Sequence, residues 1–155
     1  MVALFVYLLS IACWLGAIVF FSFFTAPAIF QELPVAEAGK VIGAIFPRYY
    51  ALGYAAGIVA VLLAAYFTAM REARGWWGGC ALTLAVALGI TLYAGGVLLP
   101  RVAQIRSVTE QQNPDAERKA EFDRLHHLSV VLNGMVLMLN LAALAETAGA
   151  LTHRG

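Results

Sequence analysis

The chain has 155 residues, 62% of them hydrophobic and only 12% charged, with a net charge of +1. A soluble domain carries about 25% charged residues, so an ordinary soluble fold is excluded. The near-zero balance gives no attraction for nucleic acid or another polyanion. The charges are also segregated, because no Asp, Glu, Lys, Arg or His occurs over residues 1–31, 49–70, 76–100 or 128–145. Crossing the hydrocarbon core takes about 20 apolar residues. The four runs therefore predict one all-α integral membrane domain, an up-down-up-down four-helix bundle over 1–155. Its spans are expected at about residues 4–30, 48–70, 78–100 and 125–147.

The first run has neither the basic n-region nor the short core of a cleaved signal, which predicts that it stays as a span. Ala12 and Gly16 form a small-xxx-small surface suited to close helix approach, and Trp14 lies deep enough to pack rather than anchor. Pro27 is expected to kink or loosen the end of this helix, with Ser22 or Thr25 bonding the freed carbonyls. In the following loop, residues 35–46 read as a short amphipathic helix, with Val41, Ile42, Ile45 and Phe46 on its apolar side.

Pro47, Arg48, Tyr49 and Tyr50 then open the second span, where proline suits a first turn and the rings suit the interface. Gly53 and Gly57 give a second close-packing ridge, for a neighbour in the same chain or in a second protomer. Trp76-Trp77 marks a water boundary. Gly95-Gly96 and Pro100 weaken the end of the third span, after which residues 101–112 remain compatible with helix. Asn113-Pro114 is a break of the N-cap and N1 type, so the third and fourth spans should project beyond the bilayer as a charged hairpin. Glu146 falls at the far interface. Cys13 and Cys80 form no Cys-x-x-Cys pair and read as small helix- or lipid-facing residues.

Seven basic residues, Lys40, Arg48, Arg101, Arg106, Arg118, Lys119 and Arg124, fall on the side of the two long loops. Arg71, Arg74 and Arg154 fall on the other. The positive-inside rule puts the long loops in the cytoplasm and both termini outside, in a bacterial inner membrane.

The chemistry concentrates at the start of the fourth span. His126, Ser129 and Asn133 are spaced i, i+3, i+7 and share one helix face, with Asn140 a heptad further on. Antiparallel threading brings this face to the level of Ser22, Thr25, Arg48, Tyr49, Tyr50 and Tyr93, because polar groups in a span face a partner or a cavity. Three roles compete for His126: a structural residue bonded to Asp123 or nearby backbone, the lining of a small-molecule or ion site, and a metal or haem ligand. Cys80 and His153 thread to the opposite side, too far to join it on one metal. No nucleophile–base pair, phosphate loop or paired intramembrane carboxylate is present, which argues against an enzyme.

Trp14-x-Gly16, Phe46-Pro47-x-Tyr49, Pro100 followed by Arg106, and His126-x-x-Ser129-x-x-x-Asn133 resemble the family around eukaryotic transmembrane protein 205, from about Trp14 to Leu141. Its bacterial relatives are filed as a domain of unknown function. The resemblance implies a four-helix membrane protein, with eukaryotic members associated with tolerance to platinum drugs. It marks Pro47, Tyr49, Arg106, His126, Ser129 and Asn133 as pattern positions. A more distant likeness to the copper-resistance D group implies haem or copper handling, although this chain lacks histidines in its first three spans.

Three functions follow as expectations. The first is a non-enzymatic protein whose polar pocket, built from His126, Ser129, Asn133, Pro47, Arg48, Tyr49 and Arg106, binds or passes a small solute or ion. The second is an assembly protein that forms a homo-oligomer through its small-residue ridges. The third is a metal- or haem-linked protein. No cofactor is predicted, and the only certain partner is the lipid bilayer.

Overall fold

In a computed structural model, residues 1–70, 74–111 and 116–152 are described, with side chains over 1–70, 74–105 and 120–152. All are helical or in short connections, and no strand occurs among them. The first rod comprises α1 (Val2–Phe20), a wide π turn (Phe21–Thr25) and α2 (Ala26–Glu32). The second is α3 (Val35–Met70). The third comprises α4 (Arg74–Tyr93), a second π turn (Ala94–Leu98) and α5 (Leu99–Gln111), and the fourth is α6 (Ala116–Thr152). Each rod contains one of the four expected spans and overruns it. Helices of 31 to 36 residues reach about 46–54 Å at 1.5 Å per residue, well beyond a hydrocarbon core of about 30 Å.

The rods pack as a square. The first and third each lie against the second and fourth, as short antiparallel connections require. The outer surface is apolar, with Phe5, Phe20, Leu62, Leu82 and Met138 more than 60% exposed. The interior is made of small residues with aromatic knobs set among them: Ala56, Ala60, Ala64, Ala87, Ala143 and Ala150 beside Tyr7, Trp14, Phe67 and Trp77. Lipid tails are as apolar as leucine, so large aliphatics gain nothing by facing inward, and close packing of small residues holds the rods together.

The prolines act differently from the expectation. Pro47 does not open a helix but lies inside α3, which runs through it without interruption. The residues expected as a separate amphipathic helix thus extend the second rod, with Ala38 and Ile42 buried on the side where α3 meets α2. Pro47 itself is exposed, so the carbonyl it leaves without a donor faces the surface rather than a dry core.

Pro27 and Pro100 do not end their helices either. Each stands two residues beyond a π turn, and the amide just before each proline bonds five residues back, Ala26 to Phe21 and Leu99 to Ala94. A proline ring clashes with the carbonyl four residues back, and the extra residue in a π turn moves that carbonyl away. Both π turns lie toward the same end of the bundle.

Two packing expectations also change. A Cβ on Gly16 would meet nothing, and Ala12 is exposed, so this small-residue face is not used within the chain. The Gly53–Gly57 ridge is used within it. A Cβ on Gly57 would come 2.9 Å from both the Trp14 indole and Leu88, and one on Gly53 3.3 Å from Trp14 Nε1 and from Thr91 Cγ2. Trp14 therefore lies on the bare backbone of the second rod. At the opposite end Trp76 is 42% exposed, as a boundary residue should be, but Trp77 is fully buried. Its ring packs at 4.6 Å from Phe67 and 5.6 Å from Tyr7.

Candidate functional site

The long-loop half of the bundle holds a polar chain that crosses it. Tyr49 of the second rod donates its hydroxyl to Oδ1 of Asn133 on the fourth, at 2.5 Å. Asn133 donates from Nδ2 to Ser22 Oγ on the first, at 2.8 Å. Three rods are thus joined by two bonds, one of them across the diagonal of the square. The Ser22 proton and the second Nδ2 proton of Asn133 remain without a partner among the described residues, so the site keeps donors in reserve.

Local structure explains why each group is there. Ser22 lies within the first π turn, which swings it toward the interior. Asn133 sits on the inward seam of α6, one turn before the buried Val136. The Tyr49 ring is held by Phe21 at 5.0 Å and by Tyr50 at 5.3 Å, with Phe46 closing the group at 5.3 Å from Phe21. The rings expected at the water interface instead form an interior aromatic cluster. Tyr50 and Tyr54 press on Gly95 in the second π turn, where a Cβ would overlap the Tyr54 hydroxyl and lie 2.7 Å from the Tyr50 ring. Both π turns therefore border this site, and π turns inside α-helices are frequent at functional positions.

A cavity of about 10 Å³ adjoins the chain, lined by Trp14, Tyr49, Tyr50, Thr91 and Asn133 among others. That is room for about one water molecule. Its lining bears no formal charge. Thr91 spends its hydroxyl on Ala87 of its own helix, at 2.8 Å.

The expected pocket residues divide. Tyr49 and Asn133 come together, and Ser22 joins them. His126 does not, because it is exposed two turns further out, with its ring parallel to Phe122 at 6.3 Å. Ser129 Oγ bonds back to the His126 carbonyl at 2.7 Å. Arg48 is exposed and donates to Ala44 of its own helix at 3.1 Å, and Pro47 only shapes the rod. The side chain of Arg106 lies outside the described residues, as do those of the rest of the hairpin over 106–119, with the Asn113-Pro114 break, and that of His153. The helices leading into the hairpin run to Gln111 and restart at Ala116. Among the described residues no three His, Cys, Asp or Glu side chains gather. Cys13 is exposed and Cys80 is buried at the other end of the bundle from His126.

A second polar group, not anticipated from the sequence, lies at that other end. Thr147 donates to the Ala143 carbonyl at 2.6 Å, which leaves its oxygen to accept from Tyr7 at 2.8 Å. Cys80 Sγ lies 3.6 Å from the same oxygen. Beside it Glu146, expected at the interface, accepts from Thr83 at 3.2 Å and rests over Gly79. Threonine and tyrosine scattered along apolar runs give no local signal; only the shared depth of the first, third and fourth rods connects them.

A family model described as Domain of unknown function (DUF4149) matches residues 9–111. The match takes in the first rod from residue 9 and the second and third rods, and leaves the His126–Asn133 motif outside it. It gives no support to the narrower likeness to transmembrane protein 205 or to the copper-resistance D group. Neither a curated protein nor a solved structure matches the chain. With two thirds of its length matched and four apolar helices able to cross a bilayer, the chain belongs to the DUF4149 family, a membrane protein of unknown function.

Proposed function

We propose that this protein binds or passes a small solute or ion at the Tyr49–Asn133–Ser22 chain in the long-loop half of the bundle. One observation carries the reading: a hydrogen-bonded chain with spare donors joins three rods and borders a small cavity at membrane depth. Polar residues at membrane depth are costly and tend to mark pathways and sites. The flanking π turns support it, because π turns inside α-helices are frequent at functional positions. The excess of basic residues around the long loops supports a cytoplasmic opening in an inner membrane, with both termini outside. The family of transmembrane protein 205 supplies the relatives in which to look for the same chain.

The experiment is a melting-temperature screen of the purified protein against small polar solutes and salts of mono- and divalent cations. A ligand at the site shifts the melting point of wild type and not that of Asn133→Leu. No shift with any compound, or equal shifts in both proteins, counts against the site.

One observation favours a second reading, assembly. The Ala12–Gly16 face is open and unused within the chain, whereas Gly53 and Gly57 are already occupied by Trp14. Oligomer formation through the spans would then be lost in Gly16→Leu, as judged by mass in detergent.

A further inference from the structure

We infer that the inward seam of α6 is a track for a neutral, water-sized molecule that both donates and accepts hydrogen bonds, with Asn140 as its mid-membrane station. The inference rests on the site proposed above and extends it.

Asn133, Asn140 and Thr147 stand seven residues apart on one face. At 1.5 Å per residue the steps are about 10 Å each, so the three span about 21 Å of a hydrocarbon core of about 30 Å. The outer two are satisfied by other rods, Asn133 by Tyr49 and Ser22 and Thr147 by Tyr7. Asn140 is not. It is fully buried and gives Nδ2 to the Val136 carbonyl of its own helix at 2.9 Å, while Oδ1 has no donor among the described residues.

An unpaired acceptor in a dry interior costs about 1–3 kcal/mol, and leucine in its place would avoid that cost. The sequence keeps an asparagine there, and the partner it lacks must be a donor small enough to enter.

Charge defines the class of that partner. Asn133, Asn140, Thr147, Tyr7, Tyr49 and Ser22 offer donors and acceptors and no formal charge, so a bare ion on this seam would be uncompensated. Glu146, next to Thr147, accepts from Thr83 of the third rod on Oε1 and keeps Oε2 buried without a donor among the described residues. The one carboxyl group near the seam thus stands at its terminal-side end, away from Asn140 and Asn133. The cavity beside Asn133 admits about one water, which limits the passenger to a few heavy atoms. Water, formamide and urea are molecules of this kind. The seam is closed between stations by Val136 and Ala143, so passage requires the rods to part. The π turns of the first and third rods, both beside Asn133, are where they can give.

The test uses the full chain in proteoliposomes and stopped-flow light scattering with water, formamide and urea, and with potassium chloride as the ionic control. Wild type should raise permeability to at least one neutral probe above that of protein-free vesicles, with no gain for the salt. Asn140→Leu should return it to the protein-free level while melting at or above the wild-type temperature. Should that variant not fold, magnetisation transfer from water to the Asn140 side-chain amide of wild type is a second reading, expected to be present.

Undiminished flux in a folded Asn140→Leu, a salt flux equal to the neutral flux, or a dry Asn140 amide overturns the track. If an Asn133-dependent melting shift persists in that case, the site stands and only the track fails. If no compound shifts the melting point of wild type, the site itself fails.

Discussion

Tyr49 and Asn133 stand 84 positions apart in the chain and meet across the diagonal of the four-rod square, hydroxyl to carboxamide. Neighbouring rods touch along their length, but these two rods otherwise face each other over Trp14 and the small cavity. The bond therefore ties the second rod to the fourth where helix packing does not.

Tyr49→Phe removes the donor and leaves the part-buried Asn133 Oδ1 without it. In membrane proteins such inter-helix bonds contribute about 0.6–1.7 kcal/mol, and a double-mutant cycle of Tyr49→Phe with Asn133→Leu should return a coupling in that range. Unfolding in mixed detergent measures it. Additivity within error would mean that the two side chains act independently.

Gly57 and Gly16 separate a used small-residue surface from an unused one. Gly57→Leu forces a side chain into the Trp14 indole and Leu88 and should destabilise the bundle by about 1–3 kcal/mol. Gly16→Leu adds a side chain to open space and should stay within about 0.5 kcal/mol of wild type. The same unfolding assay ranks them, and equal losses would contradict the placement of Trp14.

The sequence displayed the four spans because segregated charge and run length are one-dimensional properties. It also displayed the seam of α6, because heptad spacing puts Asn133 and Asn140 on one face whatever surrounds them. What each residue faces was not legible. Ser129 and Arg48 look like pocket residues by type, yet each satisfies itself on its own helix. His126 is on the correct face but lies beyond the level where the first rod meets the fourth. The π turns were hidden as well, since Pro27 and Pro100 predict a break equally well as a one-residue register slip. The Tyr7–Thr147–Cys80 group needed three rods in register before it existed at all.

Pro27 and Pro100 should set the register of the turns before them. With alanine at either position the missing amide is restored and the ring clash is gone, so the preceding turn can close as an α-helix. Amide hydrogen exchange over residues 22–26 in Pro27→Ala, and over 95–99 in Pro100→Ala, should slow relative to wild type. Unchanged exchange in both would mean that packing, and not proline, holds the wide turns open.

His126 makes the opposite kind of prediction. Because it is exposed and outside the hydrogen-bonded chain, His126→Ala should leave stability within about 0.5 kcal/mol and leave any solute-dependent melting shift intact. Loss of the shift would move the site outward, toward the charged ends of the third and fourth rods.

Trp14 gives the most direct view of the proposed site, because its indole rests on Gly53 and lines the cavity beside Asn133. Labelled with nitrogen-15, its Nε1 resonance should move on titration with a solute that shifts the melting point, while that of Trp76 at the opposite end stays fixed. In Asn133→Leu the Trp14 resonance should no longer respond. A solute that stabilises the protein without moving Trp14, or that moves Trp14 and Trp76 alike, would contradict a binding site at the Tyr49–Asn133–Ser22 chain.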